Sequence, residues 1–165
     1  MRFTVARIGF AASLLLTLGI AGWWYPQLPE TVASHFGPGG VADGWMRKDS
    51  FFAIFLLLGV GSVAAVPLVG LVVGMLPTSL LNLPNKDYWL APERREASMA
   101  RLQSWLVEFG AVSMVLMAYI LHITCQANVA EEAVLPDGFM RAMVVFLAYT
   151  VLWTVGLLWA WRVPR

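Results

Sequence analysis

The stretch 51-FFAIFLLLGVGSVAAVPLVGLVVGML-76 contains no charged residue. A hydrocarbon core of about 30 Å takes about 20 apolar residues in a helix, so Phe51 to Leu76 is long enough to cross one and to tilt. Three more stretches have the same character. The first covers about residues 5–24, interrupted only by Arg7. The third, about 105–125, carries Glu108 and His122, and the fourth, about 142–161, carries no charge. The fold that follows is an all-α integral membrane protein: one domain over residues 1–165, built as a four-transmembrane-helix bundle.

Composition agrees. The chain is 59% hydrophobic and 13% charged, with a mean hydropathy of +0.72, whereas soluble domains run at about 45–50% apolar and about 25% charged. A net charge of +1 gives no field to draw nucleic acid, and no clustered basic face is visible for that role. Cys125 is alone, which excludes an intramolecular disulfide and a cysteine metal cluster. It reads as a small apolar residue near a helix end.

Arg2 and Arg7 resemble the start of a signal peptide, and Gly19-Ile20-Ala21 offers small residues for cleavage. Against this, the apolar stretch exceeds an ordinary signal core, and Trp23, Trp24 and Tyr25 follow it as interfacial anchors. It therefore reads as a retained span. The eleven Lys and Arg residues set the orientation. Arg2, Arg7, Lys86, Arg94, Arg95, Arg101, Arg162 and Arg165 fall on one side of the four spans; Arg47, Lys48 and Arg141 fall on the other. Positive residues stay inside, so both termini are expected in the cytoplasm, N-in/C-in.

The outward-facing loop is then 25-YPQLPETVASHFGPGGVADGW-45. Its prolines restrict the backbone and its glycines permit positive φ. Together they suggest an ordered, Pro/Gly-rich succession of turns capping the membrane, with Trp45 able to fold back onto the membrane surface or onto the loop itself. His35 and Asp43 are expected to hydrogen-bond within this cap, with Glu30 nearby. Zinc takes three or four ligands, and one His with two acids at no recognised spacing falls short, so no metal site is assigned. No Ser, Cys or metal nucleophile accompanies the pair, so no catalytic residue is assigned either.

The cytoplasmic loop 76-LPTSLLNLPNKDYWLAPERREASMARLQSW-105 has a turn at Pro84-Asn85. A helix start at Ala91-Pro92-Glu93 is expected to run unbroken into the third span. At about 100° per residue, Arg101, Ser104, Glu108, Tyr119, His122 and Gln126 share one line of that span. Ionisable groups at membrane depth face the bundle or water rather than lipid, so Glu108, Tyr119 and His122 are candidate intramembrane polar residues. Helix-to-helix bonding, snorkelling to either surface and an ion path are the alternatives. Gly70 with Gly74, and Gly9 with Ser13 and Thr17, are small-residue faces suited to close packing or to dimerisation. Pro67 should kink the second span.

Tyr25-Pro26, Leu28-Pro29, His35-Phe36, the glycine pair, Asp43, Trp45 and Lys48 resemble the signature of a bacterial membrane family, domain of unknown function 1648. Its pattern is Y-P-x-L-P, then H-F, G, D-x-W or D-x-Y, and K, which falls here within residues 25–50. The run Asn82 to Arg94 resembles a segment found in one branch of that family. The resemblance implies a multi-pass protein of the bacterial inner (cytoplasmic) membrane. The same domain occurs in SdpI-like immunity proteins, which are longer and whose distinctive second half is not recognisable here. The family supplies no catalytic residue and no cofactor.

Two surface loops on a small bundle suit recognition better than turnover. The first expectation is a non-enzymatic binding or sensing protein whose outer loop engages a peptide, lipid or protein partner through His35, Phe36, Asp43, Trp45 and Lys48. Asn85, Tyr88, Trp89 and Arg94 are the candidate contacts on the inner face. The first alternative is a structural accessory subunit of a larger membrane complex, or a homodimer. The second is an ion or proton carrier, or a membrane enzyme, using Glu108 and His122.

Overall fold

Four helices long and apolar enough to cross a membrane dominate this computed structural model, which describes residues 2–164. They are α1 (Arg2–Trp24), α2 (Lys48–Met75), α3 (Arg95–Val129) and α4 (Gly138–Ala160). The apolar stretches read from the sequence fall within them to a residue or two. The helices extend further, because their polar ends continue to hydrogen-bond beyond the greasy section.

Helix α3 is the mast of the bundle. Its 35 residues span about 52 Å at about 1.5 Å each, well beyond the roughly 30 Å of a hydrocarbon core. The turn before it begins at Ala91, whose carbonyl accepts from the N–H groups of Arg94 and Arg95 at 2.9 Å. Helix α1 lies along α3 most extensively, α2 less so, and α4 least. No residue of α4 is buried.

Small residues bring the first three helices together. Thr17 is fully buried; its hydroxyl donates to the Ser13 carbonyl at 2.8 Å and reaches the Met114 carbonyl of α3 at 3.3 Å. A side chain on Gly110 would meet the Phe10 ring of α1 at 3.1 Å and Pro67 of α2 at 3.6 Å. One glycine of the Gly70/Gly74 pair serves this internal packing. Gly70 is buried against Gln103 and Leu106 of α3, while Gly74 has open space around it. The Gln103 amide donates to the Pro67 carbonyl at 2.8 Å.

The second span departs from regular α-helix at a point other than Pro67. Helix α2 continues through the proline, and its irregular section is a π-helical turn over Phe55–Val60. Gly59 lies within that turn and Gly61 closes it, and glycine costs little in an off-pattern helical turn.

"All-α" also proves too narrow. The loop expected to be a succession of turns contains an antiparallel hairpin of β1 (Thr31–Phe36) and β2 (Ala42–Arg47). Val32 and Ala33 are buried beneath it, while Asp43, Trp45 and Arg47 are exposed at every second position, the period of a half-buried strand. Gly39 and Gly40 make the reversal with φ of 80° and 77°. The register slips on either side of His35, which aims that side chain outward. Under the hairpin sits the main hydrophobic cluster, with Ala21, Trp24, Leu28, Val32, Phe51, Phe52, Leu121 and Cys125 buried together.

Candidate functional site at the hairpin end

The hairpin is braced from three directions. From α3, Asn128 reads the backbone of Ala33 like a strand neighbour. Its Oδ1 accepts from the Ala33 N–H at 2.6 Å, and its Nδ2 donates to the Ala33 carbonyl at 3.0 Å and to the Thr124 carbonyl at 2.9 Å. From the loop before α4, the Ala133 carbonyl accepts from the Ala42 N–H at 3.0 Å, and the Leu135 N–H donates to the Gly40 carbonyl at 2.8 Å. From the strand ends, the Lys48 N–H donates to the Glu30 carbonyl at 2.9 Å. The parts of both strand edges that these bonds cover are closed to an added strand.

Lys48 belongs to this bracing. Its side chain is only 15% exposed. The ammonium donates to the Leu28 carbonyl at 3.3 Å, pairs with Glu30 at 3.3 Å and lies 5.3 Å from the centre of the Tyr25 ring. The Tyr25 hydroxyl donates to Asp49 at 2.6 Å, and Arg47 reaches the other oxygen of that carboxylate at 3.1 Å. Tyr25 also meets the Phe52 ring edge-on. The spaced residues Tyr25, Leu28 and Lys48 thus tie the top of α1 to the top of α2.

On the opposite face, the side chains are unoccupied by bracing. His35 Nδ1 pairs with Asp43 Oδ1 at 2.5 Å, and the two side chains are 74% and 51% exposed. The pair therefore stands on the surface of the hairpin instead of inside a cap. There is no room for side chains at its flanks: a Cβ at Gly37 would lie 2.6 Å from Asp43, and one at Gly44 would lie 2.9 Å from His35. Trp45 is 57% exposed on the same strand face as Asp43. Phe36 is half-buried and faces Ala42 across the ladder. A cleft of about 220 Å³ opens beside the turn, between Gly39–Gly40 and the segment Leu135 to Met140. Among the described residues no group of three His, Cys, Asp or Glu side chains is placed to hold a metal.

At the far end of α3, Asn85, Tyr88, Trp89 and Arg94 converge on the end of α4. Trp161 is 1% exposed. Its carbonyl accepts from Asn85 Nδ2 at 2.9 Å and from Trp89 Nε1 at 2.8 Å. Asn85 takes the left-handed conformation, φ 53°, which asparagine tolerates better than most residues. The Arg94 guanidinium covers the Tyr88 ring at 4.2 Å and donates to the Tyr88 carbonyl at 2.7 Å. Ser98 donates to the Trp89 carbonyl at 2.7 Å. All four are thus engaged within the chain, Asn85 and Trp89 as a clasp on the last helix and Tyr88 and Arg94 with each other.

The polar line of α3 is split. The Trp24 indole N–H donates to His122 Nδ1 at 3.1 Å, and the two rings are 5.6 Å apart. Tyr119 points its hydroxyl at Gly138, the first residue of α4. Glu108 sits by a small hollow with Arg101, Ser104 and Trp105. It lies about 21 Å from His122 along the helix, at about 1.5 Å per residue. Much of the interval on the α4 side is an apolar groove lined by residues such as Val112, Leu116, Val145 and Phe146.

Residues 12–61 match the family model described as domain of unknown function DUF1648. The match covers the second half of α1, the hairpin and the first half of α2, the part that Lys48 and Tyr25 tie together. No curated protein and no solved structure matches the chain.

Proposed function

We propose that this DUF1648-containing chain is a non-enzymatic recognition protein of a bacterial cytoplasmic membrane, whose hairpin face engages a partner at the outer surface. The observation that carries the reading is the division of labour in the hairpin. Its edges and ends are held by Asn128, Lys48 and the 133–135 segment, while Trp45, His35 and Asp43 stand exposed and unused by that bracing. A rigid platform with an exposed aromatic beside a hydrogen-bonded His–Asp pair is how binding hot spots are built.

Orientation rests on the basic residues. In sequence order, eight of the eleven fall on the side of the spans opposite the hairpin, so the hairpin faces outward. Single cysteines at Glu131 and Glu96, both exposed, should label from opposite sides of intact cells. Labelling of both from outside would overturn the orientation.

The recognition reading is tested with a photo-reactive amino acid at Trp45, and with one at Leu57 of α2 as a lipid-facing control. A discrete adduct at position 45 that disappears in His35→Ala and Asp43→Ala backgrounds supports it. Lipid adducts alone at both positions refute it. One observation favours the accessory-subunit reading as well. Helix α4 has no buried residue and leaves a long apolar face for another membrane helix. Cross-linking from Val144, 60% exposed, to a second polypeptide would support that reading.

A further inference from the structure

At the end opposite the hairpin, two hollows adjoin and share Trp159 and Arg162. One, of about 500 Å³, is lined by Trp89, Arg101 and Arg162 among others. The second, of about 420 Å³, runs up α4 past Leu158, Val155 and Leu152. The first is basic and aromatic; the second is almost wholly apolar and lies on a membrane-spanning helix.

The two arginines are placed by their own end of the bundle. The Arg101 guanidinium lies 5.3 Å from the centre of the Trp89 ring, an arrangement that leaves its N–H edge free for an anion. Arg162 follows Trp161, whose carbonyl is clamped by Asn85 and Trp89, and its own N–H donates to the Trp159 carbonyl at 3.2 Å. Glu108 is the nearest acid on the same line of α3. It sits about two turns deeper than Arg101 and lines a smaller hollow that Arg101 also borders. Trp159, 68% exposed, marks the boundary between the basic and apolar halves, where indoles favour the membrane interface.

We propose that these adjoining hollows form a binding site for one anionic phospholipid, its headgroup phosphate held by Arg101 and Arg162 and one acyl chain lying along Leu152 to Trp159. Basic pockets between spans on the cytoplasmic side suit anionic headgroups, and the apolar run supplies what a soluble phosphate lacks. The site stands independently of the hairpin reading.

The test uses the full chain in dodecyl maltoside, titrated with dioleoyl phosphatidylglycerol or dioleoyl phosphatidylcholine and followed by thermal unfolding. Half-maximal stabilisation by the anionic lipid should need roughly 30-fold less lipid, the equivalent of about 2 kcal/mol for two basic contacts. The double variant Arg101→Gln/Arg162→Gln should lose that preference, whereas Arg47→Gln, at the hairpin end, should keep it. Leu152→Trp, at a 72% exposed position, fills the apolar hollow without disturbing the clasp and should weaken the anionic lipid about tenfold. It decides the matter if the double variant does not fold. Equal stabilisation by both lipids, selectivity retained in the double variant, or affinity for the anionic lipid unchanged by Leu152→Trp overturns the proposal. So does equal protection by inorganic phosphate, which would make the site one for a soluble anion.

Discussion

Replacing Asn128 with Ala should destabilise the protein by about 2–3 kcal/mol, more than a polar residue at the last turn of a helix ordinarily would. Asn128 bonds both backbone groups of Ala33, at 2.6 and 3.0 Å. Ala33 has 0% exposure, so water cannot take over both bonds. A buried backbone group left unpaired costs about 1–3 kcal/mol. Two such groups set a range of about 2–6 kcal/mol, and the half-buried position of Asn128 favours the low end because some water can follow the vacated side chain. The Thr124 bond adds little, since that carbonyl lies in a helix. Asn128→Asp separates the two halves of the effect: the carboxylate still accepts from the Ala33 N–H but cannot donate to its carbonyl. Its loss should fall between wild type and Asn128→Ala. Equilibrium unfolding in mixed micelles reads the energies, and hydrogen exchange at the Ala33 amide reads the site directly, with protection falling selectively in the Ala variant. A change in stability below about 0.5 kcal/mol with unchanged protection would refute the idea that α3 holds the hairpin through this amide.

Three further outcomes follow from burial and space. Lys48→Ala should cost about 1–2 kcal/mol by the same unfolding measurement, since a nearly buried charge-assisted bond and a packed stem are lost together; its neighbour Arg47→Ala, 73% exposed in its ion pair, should change stability by less than about 0.5 kcal/mol. Gly70→Val should cost about 1–3 kcal/mol by overpacking against Gln103 and Leu106, while Gly74→Ala should be near neutral; equal effects would deny that only one of the two glycines packs inside. His35→Ala should change stability by less than about 1 kcal/mol, because its bond to Asp43 is solvent-exposed, and neither zinc nor a chelator should shift the melting temperature of the wild type, since one His and one carboxylate fall short of a zinc ligand set.

The class of fold was legible because bilayer physics writes itself along the chain. A span needs about 20 apolar residues in sequence, so Phe51 to Leu76 declares its helix without reference to any neighbour. Helix ends were legible only nearly: the start expected at Ala91-Pro92-Glu93 is a turn, and the helix itself begins at Arg95. The pairing of His35 with Asp43 was within reach too, since both lie in one short loop and a histidine there seeks a carboxylate. Its exposure was not, because which face of a strand turns outward depends on what lies beneath.

What only the tertiary structure decided are the partnerships between residues far apart in sequence. Asn128 and Ala33 are separated by 95 positions, and Asn85 and Trp161 by 76, and no local pattern marks either Asn as a partner for a distant backbone. The hairpin was hidden behind its prolines and glycines. A two-stranded hairpin is marginal alone, and this one exists because α3 and the 133–135 segment complete its hydrogen bonding. Asn85 and Trp89 look like part of a free binding surface until Trp161 arrives from the far end of the chain to occupy them. Periodicity along one segment records the solvent that segment meets; the identity of its neighbour is a property of the folded bundle, in which every buried donor and acceptor must find its match.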